Sequence, residues 1–341
     1  YPDAAGMKLR PFRSCFFRSI VSAGLVLVSA FVALGAGEVL LRLKNADMQN
    51  YDIEMWRYAR ELKRPSDNPV LGHEHRPSRE AVLESVRIRI NADGLRGPDV
   101  PPKNGPERRI LFLGSSITLG WGVEEAETVS VLVENRLKSD GYDVAVLNAG
   151  IGNYNTVRYV TRFLDRLAHL DPDILVVQYF VNDAEVLEPG GANWFLRNSQ
   201  LAVSLWIAFR RLTGGDGAGT LVDHYRSVYD PESKGYRDMK SALENLAAYA
   251  RGRNIGVIVA MTPDLHDVTN YAFGFVHDSV RALAAELGLT YVDLLPAFRG
   301  LEARQLWAIP GDPHPNALGH RLMADSLSPP IEAMLMTTGS R

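Results

Sequence analysis

Five continuous apolar runs, separated by segments of helix length, are the feature that most restricts the fold of this 341-residue chain. The runs cover residues 110–113, 144–147, 174–181, 255–261 and 291–295, and intervening segments such as 129–138 and 241–251 have helical spacing. Strands of a parallel sheet are covered by helices on both faces, so they are apolar throughout instead of alternating. The sequence therefore predicts a three-layer α/β/α fold with a central parallel sheet of about five strands.

An uncharged, mostly apolar run at residues 19–37 precedes this region and has the length of a membrane span. As a helix it extends roughly 28 Å, close to the ~30 Å hydrocarbon core of a bilayer. More basic residues lie before the run (Lys8, Arg10, Arg13 and Arg18) than directly after it (Arg42 and Lys44). By the positive-inside rule the N-terminus is cytoplasmic and the remainder is exported.

We therefore expect a single-pass anchor in the cytoplasmic (inner) membrane, with the α/β region extracytoplasmic (periplasmic). A cleaved signal peptide is the main alternative, because small residues at 33–35 and 35–37 resemble cleavage sites, and the protein would then be secreted. A buried helix of a soluble protein is the third interpretation.

The expected organisation is a cytoplasmic basic N-terminus (1–18), a transmembrane anchor (19–43), a stalk and collar (44–108) and an α/β domain (109–335). Within the collar we expect a short helix at 52–63 and a strand at 86–90, where apolar and arginine residues alternate. An apolar segment at 194–212, followed by a glycine-rich loop at 213–220, interrupts the α/β alternation. It is either a core or dimer-interface helix, or a lid or acyl-pocket helix near the membrane.

Composition excludes several classes of protein. Hydrophobic residues make up 46% and charged residues 23% of the chain, which is ordinary for a globular protein. A formal charge of −3 gives no basic field to hold a nucleic acid, so we expect no nucleic-acid partner. The single cysteine, Cys15, excludes an internal disulfide and a cysteine-rich metal site.

Candidate functional residues follow the apolar runs, at the edge where open α/β sheets bind ligands. They lie in Gly114-Ser115-Ser116-Ile117-Thr118-Leu119-Gly120, in Asn148-Ala149-Gly150-Ile151-Gly152-Asn153, in Asn182-Asp183, and in a late segment, Gly311-Asp312-Pro313-His314-Pro315-Asn316. A serine on a strand-to-helix turn, amide donors and an Asp/His pair are the components of a serine hydrolase. Such a mechanism requires no metal or organic cofactor.

These segments resemble, in order and spacing, the four sequence blocks of the SGNH/GDSL hydrolase superfamily over roughly residues 109–327. The resemblance implies a flavodoxin-like α/β/α fold in which Ser116 is the nucleophile and His314 the base, with Asp312 orienting the histidine. It also implies an oxyanion hole formed by the amides of Ser116 and Gly150 and by the Asn182 side chain. The anchor and collar are similar to those of membrane-anchored bacterial members.

Three positions depart from the family pattern. Ser115 stands where Asp is usual, Phe180 stands where Gly is usual, and Asp312 precedes His314 by two residues instead of three. Side chains at i and i+2 of an extended segment point the same way, so the shorter spacing still permits a triad. If Asp312 points away, Ser116 and His314 act as a dyad or Asp183 replaces it.

Other histidines and glycines favour structural roles. The sequence offers no third metal ligand close to His73-Glu74-His75, so we expect this segment to be a solvated loop. His320 is expected on the surface of a helix. The glycine-rich loops lack the third glycine of a dinucleotide fingerprint and the lysine of a P-loop.

The sequence thus predicts a serine esterase that removes O-acyl groups, acetyl above all, from a cell-envelope or exported polysaccharide. Its expected partners are an acylated carbohydrate or another ester and, through the N-terminal helix, the membrane. One alternative is an O-acyltransferase with the same triad, and another is a catalytically silent polysaccharide-binding or assembly protein.

Overall fold

The computed structural model describes residues 12–103, 105, 107–187, 196, 198–213 and 221–338. The helices are α1 (Phe12–Lys44), α2 (Tyr51–Glu61), α3 (Ser116–Leu119), α4 (Val129–Ser139), α5 (Thr156–Arg162), α6 (Gln200–Thr213), α7 (Leu221–Val228), α8 (Lys234–Arg251), α9 (Gly274–Glu286) and α10 (Ala317–Thr338). The strands are β1 (Lys63–Pro65), β2 (His73–His75), β3 (Arg79–Leu83), β4 (Val86–Ile90), β5 (Arg108–Gly114), β6 (Val144–Asn148), β7 (Ile174–Tyr179), β8 (Gly256–Met261), β9 (Thr290–Asp293), β10 (Trp307–Ile309) and β11 (Asp312–Pro315).

These elements form two compact units. One comprises the described residues up to 47 and those between 192 and 214, and the other comprises the described residues from 48 to 191 and from 215 onward.

The larger unit is built on a five-stranded parallel sheet with the strand order β6-β5-β7-β8-β9. Leu111 of β5 pairs with Leu147 on one side and with Leu175 on the other, so β5 and β7 lie in the sheet interior. Both strands are buried along almost their whole length, as continuous apolar sequence requires. The predicted sheet is confirmed, with each strand within a few residues of its apolar run.

Helices cover both faces of this sheet and complete the three predicted layers. On one face Val133 and Leu137 of α4 and Met323, Leu327 and Ile331 of α10 pack against the sheet. On the other face the contacts come from α5, α8 and α9, through side chains that include Tyr159, Leu243, Leu246, Val276 and Val280. Each such buried apolar side chain stabilises the fold by roughly 1.5–3 kcal/mol, which makes these two cores the main source of stability.

Residues 48–99 belong to the same unit as the sheet. Here the predicted strand 86–90 is confirmed as β4, which forms an antiparallel hairpin with β3. Arg96 forms single β-bridges to Ile90 and to Asn148, so the hairpin region is joined to the edge strand β6. The expectation of a solvated loop at His73-Glu74-His75 is wrong, because these residues form β2 and His75 is only 2% exposed.

The smaller unit contains the apolar N-terminal helix. The described segment Val21–Asp47 is long and apolar enough to cross a membrane, with side chains such as Leu25, Leu27 and Phe31 exposed. Lys8 and Arg10, on which the predicted orientation partly depends, lie outside the described residues, as do the glycine-rich loop residues 214–220.

Within this unit, Glu38 of α1 binds the N-terminal end of α6. The carboxylate of Glu38 in α1 accepts hydrogen bonds from the backbone amides of Gln200 and Leu201 at 3.1 and 2.9 Å and from the Ser199 hydroxyl at 2.8 Å. A carboxylate at a helix N-terminus satisfies unpaired N–H groups and complements the helix dipole.

The part of α6 beyond this contact carries exposed apolar side chains, among them Leu205, Trp206 and Phe209. Removal of residues 1–44 therefore deprives α6 of its Glu38 contact and leaves these apolar side chains in water. We predict that the truncated protein keeps the cooperative thermal unfolding of the sheet unit, measured by circular dichroism, but self-associates in light scattering.

The matched control is the same truncation with Trp206→Ser and Phe209→Ser, which we expect to remain monodisperse with the same midpoint. Loss of cooperative unfolding on truncation would contradict this prediction.

Candidate active site

The turn between β5 and α3 places Ser116 at the carboxyl edge of the sheet. Gly114 ends β5, and a Cβ atom there would lie 2.1 Å from Thr118 Oγ1, so only glycine fits. Ser116 is the first residue of α3, and the N–H groups in a first helical turn have no partner within the helix. The chain therefore presents a half-buried hydroxyl and an unpaired amide from the same residue.

Ser116, His314 and Asp312 form one hydrogen-bonded chain, although the first two lie 198 positions apart in the sequence. His314 Nε2 lies 2.7 Å from Ser116 Oγ, and His314 Nδ1 lies 2.5 Å from Asp312 Oδ1. A carboxylate only accepts hydrogen bonds, so the Nδ1 proton faces Asp312 and Nε2 is free to accept the serine proton. The predicted dyad without Asp312 is not the arrangement found.

The two-residue spacing works because Asp312 and His314 lie on the extended strand β11. Asp312 Oδ1 also accepts the backbone N–H of His314 at 3.1 Å, so one oxygen fixes both the backbone and the imidazole. Asp264 and His266 repeat this arrangement, with the Oδ1 of Asp264 3.0 Å from the amide and 2.8 Å from Nδ1 of His266. The Asp-x-His contact therefore also forms outside a strand, and what distinguishes His314 is the serine at its other nitrogen.

The second sequence block packs closely against the nucleophile helix. A Cβ on Gly150 would lie 2.1 Å from the backbone nitrogen of Leu119, so the close approach of the two segments requires glycine. The Gly150 amide donates to Asn148 Oδ1 at 3.0 Å, and the Asn148 Nδ2 donates to the carbonyl of Thr118 at 2.7 Å. Gly150 therefore lies next to α3, and its N–H is already engaged by Asn148.

The third block supplies a carboxamide with an unused oxygen and a buried acid. The Asn182 side chain is half-buried, and its Oδ1 accepts no hydrogen bond from any part of the chain that the structure describes. Asp183 instead accepts from the Tyr159 hydroxyl at 2.9 Å and from the Phe180 amide at 3.3 Å. Complete burial raises the pKa of Asp183 to about 8. The alternative in which Asp183 replaces Asp312 is wrong, since His314 is bound to Asp312.

The two other departures from the family pattern lie beside these groups. Ser115 is buried directly before α3 and its side chain makes no capping hydrogen bond. Phe180 follows β7 and packs against the apolar cores on both faces of the sheet.

Three residues of the 48–99 region also reach the site, and sequence reasoning missed them. The Tyr51 ring lies 5.8 Å from the His314 ring, between centroids. Glu84 accepts from the Trp121 Nε1 at 2.8 Å, and the same N–H lies 3.1 Å from Asp312 Oδ2. Arg96 donates to the carbonyls of Leu119 and Gly120 at 2.7 and 2.5 Å.

The only sequence signal for these residues was their polarity within a partly apolar segment, which does not reveal what they contact. Their side chains connect the 48–99 region to the catalytic loops, and they belong to no recognisable sequence motif.

The remaining histidines have structural roles. His73 bonds to the Gly152 carbonyl and His75 to the Tyr58 hydroxyl and the Gly94 carbonyl, and burial lowers the pKa of both. The expected surface position of His320 is wrong: it is fully buried, its Nδ1 accepts the Val129 amide, and burial lowers its pKa to about 3. No group of three or more potential metal ligands occurs among the described residues.

The Arg96 contacts predict a large stability effect. The buried guanidinium donates hydrogen bonds to two carbonyls at the end of α3 and a third to the Val123 carbonyl at 2.6 Å. Arg96→Ala leaves these acceptors unpaired, and we expect a loss of about 3 kcal/mol in the free energy of unfolding by urea denaturation.

Arg87 is the control, because its ion pair with Glu80 is exposed on the same hairpin. Arg87→Ala is expected to change stability by about 0.5 kcal/mol or less. Equal effects of the two substitutions would refute the structural role of Arg96.

Comparisons with known proteins identify the family of this chain. Residues 112–322 match the model of the GDSL-like Lipase/Acylhydrolase family. A search of curated proteins found no match. Similar solved structures include that of TesA, at 17% identity over 67% of this chain and 100% of that chain, with a TM-score of 0.42.

Two further structures are similar to a comparable extent. An acetyl xylan esterase, AlAXEase, is 20% identical over 65% of this chain and 99% of its own, with a TM-score of 0.41. The psychrotrophic esterase EstA from Pseudoalteromonas is 16% identical over 67% of this chain and 99% of its own, with a TM-score of 0.42. Because the family model spans well over half of the sequence, the chain belongs to the GDSL-like lipase/acylhydrolase family and is a hydrolase that acts on ester bonds.

Proposed function

We propose that this protein is a serine esterase in which Ser116, His314 and Asp312 form the catalytic triad. The observation that carries the proposal is the 2.7 Å contact between Ser116 Oγ and His314 Nε2, in a site whose other imidazole nitrogen faces a carboxylate. A serine hydroxyl is a weak nucleophile at neutral pH and needs such a base. The carboxylate holds the tautomer that leaves Nε2 able to accept a proton.

The reaction proceeds in two halves. Ser116 Oγ attacks the acyl carbon while its proton passes to His314 Nε2, and the tetrahedral intermediate collapses when His314 returns that proton to the departing alcohol. Water then attacks the acyl-enzyme and gives one proton to His314. Collapse of the second intermediate breaks the bond to Oγ, returns the proton to Ser116 and releases the carboxylic acid.

The oxyanion formed in each half is stabilised by the Ser116 amide and the Asn182 carboxamide. The first is unpaired within its own helix and the second makes no side-chain hydrogen bond through Oδ1, so the carboxamide is free to turn its nitrogen to the substrate. We assign Gly150 as the third donor, and it serves when its N–H moves from Asn148 Oδ1 to the oxyanion. Loss of a single donor of this kind costs about 3 kcal/mol of transition-state stabilisation.

The substrate we propose is an O-acetylated or otherwise O-acylated polysaccharide of the cell envelope or an exported one. An enzyme held by α1 at the outer face of the cytoplasmic membrane meets such polymers, and this location is itself part of the proposal. One half-buried aromatic ring accompanies His314: the Tyr51 ring lies 5.8 Å from the imidazole, between centroids. Aromatic faces of this kind suit the apolar faces of sugar rings.

Hydrolysis of p-nitrophenyl acetate by the purified protein tests the triad. We predict that Ser116→Ala and His314→Ala each lower kcat by about six orders of magnitude. Asp312→Asn should lower kcat by about three to four orders of magnitude because it favours the wrong tautomer.

The matched controls are Ser115→Ala, which removes the neighbouring serine, and His266→Ala, which removes a histidine with the same Asp-x-His contact. Both are expected to keep turnover within severalfold of the parent. Full activity in Ser116→Ala, or its loss in Ser115→Ala instead, would place the nucleophile elsewhere.

A separate assay tests the substrate. Acetate release from an O-acetylated polysaccharide, with the chemically deacetylated polymer as the blank, should exceed release of acid from long-chain p-nitrophenyl esters. The reverse preference would contradict a carbohydrate substrate.

The same assay separates the two alternatives. Appearance of acyl groups on an added sugar acceptor, with little free acid, would favour an O-acyltransferase. Glycan binding that persists in Ser116→Ala, without turnover in the parent, would favour a silent binding or assembly protein.

A further inference from the structure

We infer that Glu84 is a positioning residue of the triad, holding a proton that it shares with Asp312. This inference rests on the proposed triad. The two carboxyl groups are neighbours, because the Trp121 Nε1–H group lies 2.8 Å from Glu84 Oε1 and 3.1 Å from Asp312 Oδ2, the oxygen of Asp312 that does not face His314. The chain 48–99 therefore extends the triad by one group that the catalytic loops themselves do not contain.

The hydrogen bonds around Glu84 leave a place for that proton. Glu84 is 4% exposed, its Oε1 accepts from Trp121, and its buried Oε2 has no donor among the described residues. An ionised carboxylate with a buried, unpaired oxygen is costly, whereas a protonated oxygen becomes a donor. The Oε2–H group then donates to Asp312, and both oxygens of Glu84 are satisfied.

The Asp312 carboxylate gains the complementary arrangement. Its Oδ1 accepts a hydrogen bond from His314. Its Oδ2 lies 3.1 Å from Trp121 Nε1, and the same N–H group also donates to Glu84. Two ionised carboxylates on either side of a single N–H repel each other. With one proton between them, the pair carries a single negative charge next to the imidazole, as a Ser-His-Asp triad requires.

The backbone at Glu84 points to the same role. Glu84 and Ser85 form the two-residue turn between β3 and β4, and both have positive φ angles, 48° and 65°. Turns of this type favour Asn-Gly, because most side chains are strained at positive φ. Strained residues of this kind concentrate at functional sites. The strained turn is stabilised by a hydrogen bond from the Glu84 amide to Glu54 Oε2 at 2.9 Å.

No basic side chain among the described contacts neutralises Glu84. From α2 it faces Tyr51 and the Glu54 carboxylate, whose charge is balanced by Arg57 at 3.0 Å. From β11 it faces Asp312 and, one group further, His314. Burial first, and then the negative charge of Asp312, raise the pKa of Glu84 to about 8.

The consequence is an alkaline limit on the esterase. When Glu84 loses its proton, the bond to Asp312 is replaced by repulsion, and Asp312 no longer holds the imidazole. The pH profile of kcat/KM with p-nitrophenyl acetate should therefore fall on the alkaline side near pH 8 in the parent.

Glu84→Gln tests this directly, since its carboxamide accepts from Trp121 and donates permanently to Asp312. We expect Glu84→Gln to keep activity at pH 7 within severalfold and to lack the alkaline fall. Glu84→Ala, which leaves Asp312 without that donor, should lose about tenfold or more at pH 7. Asp183→Asn is the control for the other buried acid that titrates near pH 8, and it should retain the alkaline fall.

A second readout does not depend on activity. Between pH 4.5 and about 8 the folded protein holds a proton on Glu84 that the unfolded chain releases, so stability of the parent falls as the pH rises through this range. The thermal midpoint of Glu84→Gln should lack that part of the fall. The difference between the two proteins should therefore grow in favour of the variant from pH 5 to pH 8.

An alkaline fall that survives in Glu84→Gln and disappears in Asp183→Asn would overturn the inference. A stability difference independent of pH would overturn the shared proton. If the parent hydrolyses no ester, the proposed function fails first, and the pH dependence of stability still decides whether Glu84 holds the proton.

Discussion

The hydrogen bond between Ser116 and His314 depends on a constraint that runs through the whole larger unit: the carboxyl ends of parallel strands must meet at one edge. Ser116 follows β5 in the sheet interior, and its neighbours in the sheet, β6 and β7, end next to it and carry Gly150 and Asn182. His314 comes from β11, outside that sheet, and reaches the same place because β11 contacts α3. The two apolar cores that cover the sheet thus determine the position of the reacting atoms.

Around this edge, close contacts at glycines and hydrogen bonds between buried polar groups take the place of packing between apolar side chains. Gly114 and Gly150 occupy places where a Cβ would meet another atom at 2.1 Å, the Thr118 hydroxyl at Gly114 and the backbone nitrogen of Leu119 at Gly150, so the loops pack closely together. The side chains that fill the remaining hydrogen bonds come from a distance: Arg96 ends the nucleophile helix and Trp121 bridges Asp312 to Glu84. This close packing holds Ser116 and His314 in contact before any substrate binds, which is the condition for catalysis by positioned groups.

Periodicity and motif order were sufficient to predict the sheet, the strand β4 and the positions that converge on Ser116. They were sufficient because a parallel strand needs apolar sequence on both faces, and because Asp312 and His314 are related by local geometry on one strand. Glu84, Arg96 and Tyr51 were not predictable, since their roles arise from contacts with residues far away in the sequence. His320 and His75 were misjudged for a related reason: polarity suggested exposure, whereas hydrogen-bond partners inside the protein allow both to be buried.

The central claim is that Ser116 is a nucleophile activated by His314. A serine-directed alkyl phosphonate ester with a good leaving group tests it most directly, because the adduct is covalent and its site can be read by mass spectrometry of peptides. We predict one phosphonyl group per chain, located on Ser116, formed at a rate that falls in His314→Ala and is unchanged in His266→Ala. An adduct on another serine, or equal labelling of Ser116 in the parent and in His314→Ala, would contradict it.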